Sequence, residues 1–372
     1  MNTPATLLVG TGLEIEGRSF EPESAELADA LARAHRDQLR PRCLCRAQGV
    51  PMYVARLGDG YIVKRMPQTG SDHAPHCPSF EPAASALGLS ALLGSAIIED
   101  PSTGATTLRL DFPLSVPLAR TAPRGSASSS GTLMSRGGRL SLRSLLHFLW
   151  DQAGLTRWQP DLQGRRTWGL VRQQLLHAAE QKIASGAALT SRLYIPEAFC
   201  LEYKEQITSR RRMSWASAAR RPGHAQQLLL MVAELKELAA GRHGFRAVMR
   251  HIPDVAFALD ETLYRSSVIR FADELALWNA SDEIRMVAVA AFGLDEAGLP
   301  SVLALYLMSV TRDWLPVETA LEWQLVDRLV RERRAFARIL RYDVQRDTPM
   351  PCVALIDCGD PAPLLFASPQ TC

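Results

Sequence analysis

The sequence predicts an α+β chain from three observations. A Cys/His cluster brackets a short hairpin near the start, leucines at helical spacing open the middle, and the order strand, strand, helix, strand, strand closes the chain. At 372 residues the chain is too long for one small core, and 47% hydrophobic with 22% charged residues leaves ample apolar surface to bury. This reading divides it into an N-terminal module over 1–118, a linker over 119–139, a helical module over 140–224 and a C-terminal α/β domain over 225–372.

In the first module, Cys43 and Cys45 flank a single residue, and His73, His76 and Cys77 follow downstream. Between them Met52, Val54, Tyr61 and Val63 alternate around Gly58, Asp59 and Gly60, the pattern of a hairpin. A hairpin returns the chain to its start, so it brings the two ends of the motif together. The expected ligands are Cys43, Cys45, His73 and Cys77, with His76 as the alternative to His73. Three thiolates and an imidazole suit a tetrahedral Zn2+, and four protein ligands leave no open position for water, so the site reads as structural. A disulfide at C-x-C spacing would close a strained ring and would give the histidines no role. The remaining cysteines, Cys200, Cys352, Cys358 and Cys372, are scattered, and the odd total of seven suits a reducing compartment.

The linker RTAPRGSASSSGTLMSRGGR is rich in Ser, Gly and Pro. Ser141 then stands as an N-cap before Leu142, Leu145, Leu146 and Leu149 at helical spacing. A second helix covers TWGLVRQQLLHAAEQKIASG, and RLYIPEAF has strand character. Helix, turn, helix and extended segment is the order of a winged helix, with Arg165, Arg166 and Arg172 opening the recognition helix; an ordinary helical hairpin is the competing reading. His147 and His177 read as core or surface residues. Two strands joined by a Gly-bearing turn are expected over QLLLMVAELKELAAGRHGFRAVMRHIPDVAFAL, where Glu234 and Lys236 at E-x-K spacing would share a strand face.

In the C-terminal region Val287, Val289 and Ala291, then Leu303, Leu305 and Leu307, mark two strands. An amphipathic helix over ETALEWQLVDRLVRERRAFARIL carries Leu321, Leu325, Leu329 and Phe336, and PCVALIDC and PLLFA follow as strands. This order is similar to a restriction-endonuclease-like core, in which Glu322 on the helix and Asp357 on the strand would bind a metal. The next strand carries no second carboxylate and lysine, so Glu234 and Lys236 would have to complete the site from a distant strand. Otherwise Asp357 is a turn cap beside Gly359.

A net charge of +3 is too small to argue for a polyanionic partner, but arginines run together at Arg210, Arg211 and Arg212, at Arg220 and Arg221, and from Arg331 to Arg341. No signal peptide and no apolar run of about 18 residues is apparent, which predicts a cytoplasmic chain without membrane partners. Nor is there a phosphate-binding glycine loop, a G-x-S-x-G elbow or an H-E-x-x-H helix.

The segments CLC with MYVARL, KRMPQTGSDHAPHC, LSLRSLLHFLWDQAGLTRW, GRRTW, LYIPEAF, WLPVE, RAFARILRYD and ALID resemble the bacterial domain of unknown function 1173 (DUF1173) over nearly the whole chain. That resemblance implies a setting on integrative and conjugative elements and no particular chemistry. The function expected is a zinc-binding, non-enzymatic, nucleic-acid-associated accessory protein of a mobile element, contacting phosphates through Arg165, Arg166, Arg172, Arg210, Arg211 and Arg212 and working beside proteins of the same element. Two alternatives remain: a divalent-metal nuclease built on Glu234, Lys236, Glu322 and Asp357, and a protein-interaction module.

Overall fold

A computed structural model describes residues 12–57, 60–117, 138–241, 244–342 and 350–367. Strands β1 (Leu13–Ile15) and β2 (Arg18–Phe20) precede helix α1 (Leu27–Arg36), and β3 (Arg42–Cys43), β4 (Val50–Leu57) and β5 (Gly60–Arg65) follow. They form an antiparallel sheet in the order β2-β1-β3-β4-β5. The expected hairpin is β4–β5, paired from Met52↔Arg65 to Leu57↔Gly60; the turn residues Gly58 and Asp59 lie outside the described residues. Leu27, Ala30, Leu31 and Ala34 recur at helical spacing and bury α1 against this sheet, where Met52, Val54 and Val63 meet it.

A short helix, α2 (Ala84–Leu87), leads to β6 (Ile97–Glu99), β7 (Thr106–Leu108) and β8 (Ser115–Val116). Residues 118–137, and with them nearly all of the expected linker 119–139, lie outside the described residues. Then come α3 (Leu142–Gln152), β9 (Arg157–Trp158), α4 (Trp168–Ala179), β10 (Lys182–Ala184), β11 (Ala187–Ala188), β12 (Leu193–Tyr194), α5 (Lys204–Trp215) and β13 (Gln226–Gln227). Three pairings join segments far apart in sequence: β7 with β10, β8 with β13, and, from the far end of the chain, β19 (Phe336–Arg338) with β9.

The expected helix pair forms as α3 and α4, and its first helix lies inside the core. Residues 142–150 of α3 are buried on every side, and the helix packs on the barrel strands described below. His147 lies in this core, where its Nδ1–H donates to the Arg341 carbonyl at 2.7 Å and its Nε2 accepts from the Tyr306 hydroxyl at 3.2 Å. Burial and the neighbouring Arg143 charge hold that imidazole well below its ordinary pKa. The extended segment expected after α4, RLYIPEAF, holds β12, which pairs in parallel with the start of the first strand of the large sheet described below, while β10 and β11 join the β6–β7 sheet.

The largest sheet is a closed ring. It comprises β14 (Leu229–Gly241), β15 (Gly244–Met249), β16 (Ile252–Leu259), β17 (Ile284–Leu294) and β18 (Pro300–Thr311), with α6 (Glu261–Arg270) and α7 (Ala272–Ala280) between β16 and β17. Its order is β14-β15-β16-β18-β17, and β17 returns to β14 from Leu229↔Phe292 to Leu235↔Met286. All neighbours are antiparallel except β16 and β18, which run parallel through Ala258↔Ser301 and Leu259↔Val302. Long β14 serves two neighbours in succession, β17 along its first half and β15 along its second, and a bulge between Leu235 and Glu237 marks the change. Phe257 and Phe292 meet edge to face within this core, and Trp215 of α5 packs on both.

After β18, helix α8 (Ala320–Arg331) begins at Thr319, whose hydroxyl accepts from the Glu322 amide. It ends earlier than the apolar periodicity suggests. Arg333 adopts φ +56°, and Phe336 to Arg338 belong to β19 rather than to the helix. β19 pairs with β20 (Val353–Leu355), which pairs with β21 (Leu364–Leu365). The single α/β layer expected from Arg285 onward is therefore split: β17 and β18 close the ring, while β19 to β21 form a separate small sheet with β9.

Candidate metal centre

Cys43 ends β3 with its side chain in the core beneath α1. The chain then turns sharply, the Leu44 amide donating to Gly12 O at 2.9 Å and the Gly49 amide to Arg46 O at 2.9 Å, and this turn carries Cys45. Gly49 sits at φ +66° with the Arg42 side chain 3.1 Å from where a Cβ would lie, so a side chain there would be both strained and crowded.

The other two ligand candidates come from the loop after β5. A 3-10 turn over Gly70–Asp72 delivers His73, and a turn closed by Cys77 N to Ala74 O at 2.8 Å delivers Cys77. The Glu81 amide returns to Gly70 O at 3.0 Å, and a Cβ on Gly70 would lie 2.7 Å from that of Glu81, so glycine permits the loop to close on itself.

These turns aim four side chains at one point. The Sγ atoms of Cys43, Cys45 and Cys77 and a ring nitrogen of His73 all lie within 4.8 Å of one another. Cys43 Sγ is 3.7 Å from Cys77 Sγ, and His73 Nδ1 is 3.4 Å from Cys45 Sγ and 3.6 Å from Cys77 Sγ. A disulfide needs about 2.05 Å, and none of the three cysteines is in one. His76 is exposed and outside the group, so the structure selects His73 from the two alternatives. With Nδ1 turned to the sulfurs, the buried Nε2 of His73 has no hydrogen-bond partner among the described residues.

Left to themselves, the Cys45 and Cys77 thiols resist ionisation. The contact with Cys43 and then burial push the Cys77 thiol far up, and burial does the same to Cys45. A bound cation reverses that balance by supplying positive charge where three sulfurs converge, so the group could hold a metal ion as thiolates.

Two guanidiniums fix the ligand loop from outside. Arg46 donates to Asp72 O at 2.6 Å and to His73 O at 3.3 Å, and its far side grips Asp360 at 2.6 and 3.2 Å. Arg157 of β9 donates to Phe80 O at 2.7 Å and to Cys77 O at 3.0 Å. Sequence reasoning missed both. Arg46 had a signal in its adjacency to Cys45; Arg157 had none, because only the fold brings β9 under the loop. Beside the knuckle a cleft of about 550 Å3 opens between Cys45, Arg46, His76 and the loop from Ile356 to Asp360.

The proposed nuclease residues do not assemble. Glu234 is buried beside Arg250 at 2.9 Å, Arg285 at 3.1 Å and His251 at 3.5 Å. Against its burial, the approach of His251 and the charges of Arg285 and Arg250 hold that carboxyl below its ordinary value. Lys236 is exposed, because the bulge at Leu235 breaks the alternation that would have put it beside Glu234. Glu322 is buried against Arg338 at 2.5 Å and accepts from the Glu318 amide at 3.0 Å. Asp357 takes two contacts from Arg334 at 2.9 and 3.0 Å and accepts from the Ala335 amide at 2.8 Å, so it caps a distant strand rather than the turn beside Gly359. Among the described residues, only the Cys/His group brings three or more candidate ligand residues together.

The arginines expected to meet phosphates divide. Arg165 and Arg212 are exposed. Arg166 is buried under Trp314, donating to Leu155 O at 3.1 Å and Gly154 O at 3.4 Å, and burial lowers its pKa to about 10. It braces the turn before α4 and faces no solvent. Arg172, Arg210 and Arg211 line one cleft together.

Among the described residues no helix is long and apolar enough to cross a membrane. The family model described as "Protein of unknown function (DUF1173)" matches residues 13–370. No curated protein and no solved structure matches the chain.

Proposed function

From the premise that the chain belongs to the DUF1173 family, we propose that it is a zinc-stabilised, non-enzymatic protein that associates with nucleic acid, as an accessory of a mobile element in the reducing cytoplasm. Zinc is favoured by the edges of the ligand group. A tetrahedral ion with Zn–S of about 2.3 Å and Zn–N of about 2.05 Å has S···S edges of about 3.8 Å and S···N edges of about 3.6 Å. The distances of 3.7, 3.4 and 3.6 Å between the ligand atoms lie close to these. Four protein ligands leave the ion no site for substrate, and each candidate catalytic carboxylate is already spent on an arginine.

The observation that carries the nucleic-acid reading is the closed ring of β14 to β18. Counted from β14 its order is 1-2-3-5-4 with strand 4 back on strand 1, strands 3 and 5 parallel, and helices between strands 3 and 4. Five-stranded Greek-key barrels of the oligonucleotide-binding type use the face of strands 2 and 3 for a single strand. Here β15 presents the exposed Arg246 on the corresponding strand, and the exposed Arg250 follows in the turn to β16. The mobile-element setting and partners from the same element rest on the family resemblance alone.

The test is a titration of the zinc-loaded protein against single- and double-stranded DNA and RNA at several salt concentrations. Binding that favours single strands and falls linearly with the logarithm of salt is expected. No affinity for any of the four at low salt would replace this reading with a protein-interaction role.

A further inference from the structure

Beside the barrel, where β12 lies parallel to the start of β14, α4 and α5 enclose a cleft of about 230 Å3. Three guanidiniums reach it from two helices: Arg172 from α4, and Arg210 and Arg211 from α5. Each is held in place. Arg172 Nε donates to Ile195 O at 3.0 Å, Arg210 grips Glu197 through two contacts at 2.8 and 2.7 Å, and Arg211 grips Asp254 of β16 at 2.8 and 2.6 Å. Arg172 makes no salt bridge within 4 Å among the described residues, and both of its terminal nitrogens remain as donors once Nε is spent.

We propose that this cleft is a phosphate-binding site that takes one phosphodiester group of a nucleic-acid strand. The assignment rests on the nucleic-acid reading above and adds to it a location and a ligand group. The charge count suits it: three guanidiniums against Glu197 and Asp254 leave one positive charge, and a phosphodiester carries one negative charge. Planar guanidiniums whose orientation is already fixed by carboxylates lose little freedom when they bind an oxyanion. Tyr194 also lines the cleft, and burial raises its pKa to about 12, so it adds no negative charge there. Leu193 and Leu229 floor the cleft and limit competition from water. Because Arg211 is tied to β16, the third barrel strand, a phosphate held here lies at the border of the face expected to carry the bases.

Two substitutions approach the cleft differently. Arg172→Gln removes a cation, while Thr190→Asp places a carboxylate at the rim from an exposed position and leaves every guanidinium intact. Binding of a labelled single-stranded oligonucleotide across a salt series is measured for the full chain, both variants and Arg331→Gln, a distant exposed arginine. Each cleft variant is expected to weaken binding about tenfold, and Arg172→Gln to flatten the salt slope by about 0.7, the share of one phosphate on a single strand. Arg331→Gln should change neither. Oligonucleotide binding by wild type that both cleft variants retain in full overturns the cleft and leaves the nucleic-acid reading standing. If wild type binds no oligonucleotide, pyrophosphate is the second probe. Thermal stabilisation by pyrophosphate that disappears in both cleft variants supports the site with free phosphates as its source, and no stabilisation of wild type overturns it.

Discussion

Arg157→Gln is the substitution that most directly probes how the metal centre is built. Arg157 touches no ligand atom; it holds the carbonyls of Cys77 and Phe80 at 3.0 and 2.7 Å from a strand that lies outside the N-terminal sheet. Hydrogen bonds from a charged donor are worth about 1.5 to 3 kcal/mol each. Only part of that reaches the ion, because the carbonyls set the position of the Cys77 turn and not the sulfur's chemistry. Outer contacts of this kind cost ten- to a hundredfold in metal affinity, about 1.4 to 2.8 kcal/mol. Glutamine can still donate one hydrogen bond but carries no charge, so the expected loss is in that range. The assay is competition with a chromophoric zinc chelator, run on wild type, Arg157→Gln and Cys77→Ser. Wild type should hold one ion per chain, Arg157→Gln one ion more weakly, and Cys77→Ser none that survives dialysis. Arg157→Gln binding as tightly as wild type would show that the loop positions itself, and a wild type that holds no metal would remove the centre altogether.

Two further outcomes follow from buried charges. Burial lowers the Lys182 pKa from 10.5 to about 7, so between those values the unfolded chain binds a proton that the folded one does not, and stability rises with pH across that window. Lys182→Met should therefore stabilise the protein by up to roughly 5 kcal/mol at pH 6, with the gain shrinking as pH climbs toward 10; urea unfolding at pH 6, 8 and 9.5 that shows a pH-independent gain would contradict this. Glu322→Ala strands the Arg338 guanidinium in the core beside Pro316 O and Cys352 O and should cost about 3 to 5 kcal/mol in the same assay, whereas a loss under 1 kcal/mol would mean that those carbonyls suffice.

Local patterns carried much of this into the sequence. The alternation of Met52, Val54, Tyr61 and Val63 identifies β4 and β5, and the spacing around them identifies the three cysteines that converge, because both depend on residues that meet across one hairpin. The choice of His73 over His76 turns on a three-residue 3-10 turn, which spacing does not encode. Barrel closure was hidden for a related reason. β14 and β17 are separated by two helices and a hairpin, and β16 touches β18 through only two residue pairs, so no local period announces either contact. Arginine runs misled in one place: Arg166 and Arg165 are adjacent, yet one braces carbonyls in the core and the other faces water. The early end of α8 depends on Arg333 at positive φ, with Asp357 taking the next free amide, Ala335, from across the chain.

The pairing of β7 with β10 and of β9 with β19 sets a schedule for the chain as it is made. Ribosomes add about 5 to 20 residues each second, so the roughly 75 residues between Leu108 and Lys182 keep the β7 edge waiting for about 4 to 15 seconds. Trp158 waits longer for Phe336, roughly 180 residues and about 9 to 36 seconds. Over that interval the ligand loop can already gather Cys43, Cys45, His73 and Cys77, all of which emerge early. An ion captured then would hold the first sheet together while its later partners are still being translated, so zinc starvation during synthesis should lower the yield of folded protein more than chelation after folding does.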